Sequence, residues 1–461
     1  MTAGKVLTGL IAGVLIAGIT PPAGLGPASM RFLGIFVCVV IFLLTETMPA
    51  CALALLLCSS FVICKVVPFS VAFGQFASDT MMLLIGAFGI GAGISKSGLL
   101  NRLVLKIMNL FPGTFRGQVL AFFTTGTLIG PLIPSAFAKL AIAAPFGKAV
   151  AEKLGFDRES KGAAGIFSAI WIAFGIAAPV FLSASVWCYL ILGLVPSPER
   201  EQFNWVHWLA AAWPWGAVML AGSYFAIMFL YKPEQEHKLP ADYCKRKLKE
   251  LGPMTRTEKL TALIMAIAVV LWMTERVHGI TASLIALCAL GFMLSFKVLD
   301  VQDIRILIPW DMLIFIGGIL NLAALFTPLK VDTWIGNIAG PYIAPLTDNI
   351  FMFVIGISIL IYLVRMVVLS QMATLTVFSL VLVPIAIEAG FNPWIVPFIV
   401  LVSSCTWNLY FQNTVFLVTF SASGEMTTHK QMVKMSIAYM IISTLGLLAC
   451  IPVWRMLGMV P

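Results

Sequence analysis

The chain has 461 residues, 60% of them hydrophobic and 11% charged, with a formal net charge of +9 and a mean hydropathy of +1.01. Soluble domains are about 45–50% apolar and about 25% charged, which excludes a soluble enzyme or binding module. On so apolar a chain the positive excess points to basic loops at a membrane surface, not to nucleic acid.

Apolar runs of about 20 residues recur along the length, as spanning helices require. The first covers about 4–21 and stops at Pro21-Pro22. No small-residue cleavage site follows it, so it is read as a retained helix. A second span, about 28–47, ends in Thr45-Glu46-Thr47-Met48-Pro49, and a third continues to about Val67. The fourth starts near Asp79 and carries Gly86, Gly89, Gly91 and Gly93, which permit close helix packing. Lys96 to Arg116 is mixed and basic, as expected of an amphipathic surface helix.

Residues 117–153 are apolar but interrupted at Gly130-Pro131 and Pro134. That pattern predicts a re-entrant hairpin with its tip at Pro134-Ser135-Ala136-Phe137-Ala138-Lys139. A broken span at about 162–195, interrupted at Gly175 to Pro179, and a sixth span at about 205–231 follow. The stretch Lys232 to Lys259 holds eight Lys/Arg and is too polar to cross. Further spans are expected at about 260–274, 280–296 and from Trp310 onward, with a second surface segment at 329–349. A second re-entrant hairpin is predicted at about 350–390, with its tip at Thr374-Leu375-Thr376. Spans at about 394–424, interrupted around Thr406 to Thr414, and about 433–457 complete the chain. The nine cysteines show no CxxC pair and read as small buried hydrophobes.

The halves repeat. Thr45-Glu46 matches Thr274-Glu275, Leu84-Ile85-Gly86 matches Phe315-Ile316-Gly317, and Ser135 matches Thr374, at offsets of 229, 231 and 239. Ser135 precedes Pro145, and Thr374 precedes Pro384, by ten residues. With the N-terminus inside and both hairpins re-entrant, the basic segments 96–116, 148–161 and 232–259 all fall on the cytoplasmic side. Three parts are therefore expected. Residues 1–231 hold a first helix and the first inverted repeat, 232–259 form a cytoplasmic linker, and 260–461 form the second repeat. Inverted repeats with broken helices that meet near the midplane mark secondary transporters.

Half-helix N-termini present N–H donors and partial positive charge to an anion. Ser135 and Thr374 fit such starts, and equally fit plain N-caps. Lys139 is a cation in apolar sequence; it either faces substrate or snorkels to the cytoplasmic side. Arg365 either faces an anion or pairs with another group. The acids near spans (Glu46, Asp79, Glu275, Asp311, Glu388) sit at predicted ends, away from where a proton relay would need them.

At this point the chain resembles the divalent anion/sodium symporter family of the ion-transporter superfamily, most of all its citrate/dicarboxylate exchanger branch. Thr45-Glu46-Thr47-Met48-Pro49 looks like that family's TEaiP segment, Trp310-Asp311 through Gly317-Gly318 like its W-D…GG helix, and His278-Gly279-Ile280 like its "hgi" position. The resemblance makes the two tips the substrate-binding elements: Ser135, Ala136, Phe137 and Lys139, with Thr374, Leu375 and Thr376. It makes the two interrupted spans the candidate cation or substrate loops. Gly175, Ala178, Pro179, Ser183 and Ser185 come from the first; Thr406, Asn413 and Thr414 come from the second.

The family's tip Asn is replaced by Ala136, its first loop Asn by Ser185, and its loop glycines by Phe181 and Leu409. Sodium dependence is therefore expected to be weak or absent; no cofactor and no metal site are expected. The resemblance also implies a homodimer in which scaffold helices hold a moving transport unit. The expected fold is an all-α polytopic membrane protein, with about 11 transmembrane helices and two re-entrant hairpins in an inverted repeat. The expected function is secondary transport of small organic anions, di- or tricarboxylates, by exchange or cation-coupled symport. Transport of inorganic oxyanions or sulfonates is the alternative. No HExxH, paired mid-span carboxylates or nucleophile elbow argues for an enzyme, and paired inverted hairpins disfavour a channel.

Overall fold

A computed structural model of the protein describes residues 2–461 apart from Glu201, Glu236, Ala241, Gly336, 339–348 and Phe411. About half of the expected surface segment at 329–349 therefore lies outside the described residues. Among those described there are helices and no strands. The longer helices of the first half are α1 (Thr2–Ala17), α2 (Pro27–Thr45), α3 (Ala50–Ile63), α4 (Asp79–Ser97), α5 (Leu99–Met108), α6 (Phe115–Ile129), α7 (Ala136–Lys153), α8 (Lys161–Ile170), α9 (Val186–Leu194) and α10 (Trp205–Leu230). The linker contains α11 (Tyr243–Glu250). The second half follows with α12 (Arg256–Met273), α13 (Ala282–Ser295), α14 (Val301–Leu307), α15 (Trp310–Ala324), α16 (Ile350–Val367), α17 (Gln371–Glu388), α18 (Ile395–Ser404), α19 (Thr414–Ala422) and α20 (His429–Met456). Among the described residues seven helical runs are long and apolar enough to cross a membrane, one of them Lys161–Val180, which begins with α8; the number is eight if α14 and α15, bent by 63°, form one broken span. Shorter apolar helices accompany them.

Local chemistry sets the boundaries. Ser78, Thr114, Ser160, Asn204, Thr255 and Thr428 each accept a backbone N–H in the first turn of the helix they open, which satisfies one of the donors a helix start leaves unpaired. Gly98 at φ +79 ends α4. The glycines of α4 serve the predicted purpose. A Cβ on Gly86 would lie 2.6 Å from the backbone of Ala286, and one on Gly93 2.4 Å from Met293 Sδ, so α4 and α13 pack with their backbones in close approach.

The packing repeats when the halves are exchanged. α4 packs on α13 as α15 packs on α3; α7 packs on α8 as α17 packs on α18; α6 packs on α8 as α16 packs on α18. α10 and α20, the last long helices of each half, pack on each other. The expected repeat of the two halves is thus visible in the packing, and the two hairpins occupy equivalent places.

The 96–116 segment is only partly the solvated surface helix expected of it. Leu100, Val104 and Met108 bury one face of α5, but Arg102 is buried too. Its guanidinium donates to Glu258 at 2.8 and 3.1 Å and to the carbonyl of Gly252 at 2.9 Å. The charge is bound because it holds the end of the linker, where Glu258 also caps α12. The cysteines divide similarly. Cys58, Cys188, Cys244, Cys405 and Cys450 are buried as expected, whereas Cys64 and Cys288 are exposed.

Candidate functional site between the hairpin tips

The first hairpin turns where its sequence breaks. α6 ends at Ile129, Gly130–Leu132 forms a tight 3-10 turn, and Ser135 caps α7 by accepting from the Ala138 N–H at 3.2 Å. Phe122 and Phe146, equidistant in sequence from Pro134, meet edge to face at 6.3 Å, so an aromatic contact joins α6 to α7. The broken span behind this tip runs from α8 through a π-helical turn (Trp171–Ile176) and two 3-10 turns to α9, capped by Ser185. Val186 N–H donates to the carbonyl of Pro134 at 3.1 Å, which ties this break to the tip.

The second tip is displaced from its expected position. Thr374 does not open the second half-helix; Ser370 does, accepting from the Ala373 N–H at 3.2 Å. The chain leaves helical geometry at Val368, whose ψ is 108°, because Arg365 takes the carbonyls that a continuing helix would use. Thr374 lies one turn in, with its hydroxyl donating to the Ser370 carbonyl at 3.0 Å. Leu375 is buried in the core, and the Thr376 hydroxyl is buried without a partner. The residues that stand where Ser135-Ala136-Phe137 stands in the first half are therefore Ser370-Gln371-Met372. The second broken span ends in α19, capped by Asn413, whose Oδ1 accepts from the Phe416 N–H at 3.1 Å.

Both tips and both breaks meet at one small cavity of about 30 Å³. Its wall includes Ala136 and Gln371, the first residues of α7 and α17, and Ser185 and Asn413, the caps of α9 and α19. Four helices thus point their N-termini at one point, and the first N–H groups of each lie outside the intrahelical ladder. No carboxylate lines the cavity among the described residues. Ala136, Ser185, Trp187 and Val415 are shared with a larger vestibule of about 370 Å³, which runs between the first tip and α4 and α15. Phe137 lies in its wall, and Asp311 is the carboxylate on its far side.

The two cations are placed alike. Lys139 and Arg365 are both fully buried, so Lys139 does not snorkel. Lys139 Nζ donates to the carbonyl of Ala184, the residue before Ser185, at 2.9 Å. Arg365 Nη2 donates to the carbonyl of Gln412, the residue before Asn413, at 2.6 Å, and its Nε to Ser404 at 3.0 Å. Each cation therefore rests on the carbonyl that precedes the cap of a broken helix. Neither has an acidic partner among the described residues, although a buried charge costs several kcal/mol.

The other expected residues divide. Gly175 and Pro179 line the cavity. Ala178 sits in a 3-10 turn behind it. Ser183 holds the first tip, donating to the Pro131 carbonyl at 2.7 Å and accepting from Trp205 Nε1 at 3.0 Å. The Thr406 hydroxyl is buried without a partner. Thr414 opens α19 with its side chain exposed.

Sequence reasoning missed Gln371, Trp171 and Cys405, which all line the cavity. Gln371 Nε2 reaches Cys405 Sγ at 3.2 Å, and the Trp171 indole N–H is buried without a partner. Ser370 as a cap was the signal that would have found Gln371.

The family model described as the sodium:sulfate symporter transmembrane region matches residues 3–460. The chain belongs to this family. It is 27% identical over 335 residues to dicarboxylate transporter 1 of the Spinacia oleracea chloroplast, covering 71% of this chain and 59% of that one. It is 26% identical over 333 residues to the putative malate transporter YflS of Bacillus subtilis, covering 70% of each. It is 25% identical over 338 residues to inner membrane protein YbhI of Escherichia coli, again covering 70% of each. The chain thus spans about three-fifths of the length of the chloroplast relative. The crystal structure of the Alcanivorax borkumensis YdaH transporter, of unusual topology, aligns over 99% of this chain and 98% of that one, with a TM-score of 0.57 at 13% identity. That likeness is one of fold. Family and helices together make this an integral membrane protein of a transporter family that carries small anions.

Proposed function

We propose that the protein is a secondary active transporter of small organic anions, di- or tricarboxylates, that works by exchange and needs no sodium. One observation carries the reading: four helix N-termini border a cavity that no carboxylate lines among the described residues, and two buried cations stand behind it, bound to the carbonyls that precede two of those helix caps. At about half a charge per helix end, the four ends supply roughly two positive charges before screening, and the two cations behind them add about two more, enough to favour a dianion. The names of the spinach and Bacillus relatives favour carboxylates for this chain too. Because ammonium and guanidinium groups already occupy the carbonyls before Ser185 and Asn413, a mobile coupling cation has little left to bind. Inorganic oxyanions such as sulfate are the second reading, favoured by the family's description.

Proteoliposomes loaded with unlabelled malate are expected to take up labelled malate at equal rates in sodium and in choline. A steep rise with sodium at fixed potential overturns the exchange reading, and counterflow by sulfate but not by any carboxylate overturns the substrate class.

The moving unit in this proposal is the pair of hairpins with the broken helices α8–α9 and α18–α19. It rides as an elevator against α3, α4, α13 and α15, within a homodimer in the cell's inner or plasma membrane. Residues 1–231 and 260–461 carry the two repeats, with 232–259 as the cytoplasmic linker, the N-terminus inside and the C-terminus outside. Cys64 is exposed and lies at the outer end of α3 in this orientation. In a variant that keeps only this cysteine, an impermeant thiol reagent is expected to label it on intact cells. Labelling that requires permeabilisation reverses the orientation.

A further inference from the structure

Away from the hairpins, α1, α2 and α3 enclose a groove of about 530 Å³. α2 is its floor, since both α1 and α2, and α2 and α3, pack directly. α1 and α2 are in backbone contact, because a Cβ on Gly34 would lie 2.4 Å from the carbonyl of Gly13. Val39, Phe42, Leu53 and Leu57 are buried at the bottom, while Val14 and Leu56 stand 71% and 54% exposed at the rims. Along this length the lining is apolar apart from the Cys38 thiol and Ser60, whose hydroxyl proton is already donated to the Leu56 carbonyl at 2.7 Å.

One end differs. There Arg31 lines the groove, held by donation from Nε to the Pro27 carbonyl at 3.3 Å and from Nη1 to the Cys64 carbonyl at 2.8 Å. Neither bond uses Nη2, and no acidic side chain pairs with Arg31 among the described residues. Lys65, the next residue after that carbonyl, is exposed.

We infer that this groove is a binding site for one anionic phospholipid, an acyl chain lying along α2 and the headgroup phosphate on Arg31. In a bilayer a groove of this kind fills with hydrocarbon, since water would find too few partners in it. The planar guanidinium at its mouth suits a phosphate, which it can grip through two N–H groups. A zwitterionic lipid would bring its own cation to the same place and gain less. The inference is independent of what the hairpins carry.

The test is native mass spectrometry of the full-length protein in detergent, with phosphatidylglycerol or phosphatidylcholine of the same acyl composition added. One phosphatidylglycerol per chain is expected to survive activation where phosphatidylcholine is lost. Arg31→Gln is expected to lower phosphatidylglycerol retention about tenfold, the effect of one charge-assisted contact, while Arg31→Lys retains most of it. Leu56→Trp, which fills the groove from an exposed rim, is expected to abolish retention without changing the oligomeric mass. Equal retention of the two lipids, or no effect of Arg31→Gln, overturns the proposal. So does a change of oligomeric mass in Leu56→Trp, which would assign the groove to a second copy of the chain.

Discussion

Replacing Arg365 by leucine is expected to cost the protein its second hairpin tip and most of its thermal stability. The guanidinium donates to four backbone carbonyls, those of Val368, Leu369, Ser404 and Gln412. Two belong to the tip and two to the broken span behind it, so one side chain joins both elements. Gln412 returns the contact, its side-chain amide donating to the Arg365 carbonyl. Leucine leaves these acceptors buried without donors, at about 1–3 kcal/mol each. Their sum approaches the whole stability of a typical domain, about 5–15 kcal/mol. Arg365→Lys would be an incomplete substitute, because an ammonium cannot span four carbonyls set around a planar fork. The measurement is size-exclusion and thermal melting of detergent-solubilised protein. Arg365→Leu is expected to aggregate or melt far below the parent, with Arg365→Lys between them. A wild-type melt for Arg365→Leu would refute the bracing role.

The two hairpins differ in how plainly the sequence announces them, and Arg365 is the reason. The first tip carries Gly130-Pro131 and Pro134, which break a helix by covalent geometry alone. The second turns at Val368-Leu369-Ser370, a stretch with no glycine or proline. It is broken by carbonyls drawn to an arginine that also needs Ser404 and Gln412, about 40 residues on. Local pattern cannot carry a contact of that range, so the hydroxyl-to-proline spacing led to Thr374 instead. The repeat itself was legible because glycine pairs such as Gly86 and Gly317 mark close packing in both halves. Gln371, Cys405 and Trp171 were invisible for another reason. They sit in apolar runs where most such residues are core, and only the fold turns them toward one cavity. Three of the four converging N-termini follow from breaks the sequence did show, at Ser135, Ser185 and Asn413; the fourth, at Ser370, does not.

Lys139→Gln is expected to weaken substrate binding roughly ten- to a hundred-fold while leaving the protein folded. The ammonium is fully buried and makes one hydrogen bond, to the Ala184 carbonyl. Unlike Arg365 it braces little; its charge is what the site would lose. It stands one turn into α7, beneath the N-terminus that borders the cavity. Of the roughly four positive charges around that point, each helix end supplies about a half, so Lys139 accounts for about a quarter. A charge-assisted contact is worth about 1.5–3 kcal/mol, and about 1.4 kcal/mol is a factor of ten in affinity. Glutamine separates two roles, since its amide can still donate to Ala184 without carrying charge. If Lys139 serves only to satisfy that carbonyl, affinity stays within about threefold, well short of a charged contact. If the charge holds the anion, affinity falls by the larger factor even though the melt is unchanged. Lys139→Arg should be milder but not neutral, because the larger planar guanidinium must fit beside Cys188, itself completely buried. Titration of a dicarboxylate against purified, monodisperse variants decides the matter. Unchanged affinity in Lys139→Gln would mean that the helix ends and Arg365 hold the anion without it.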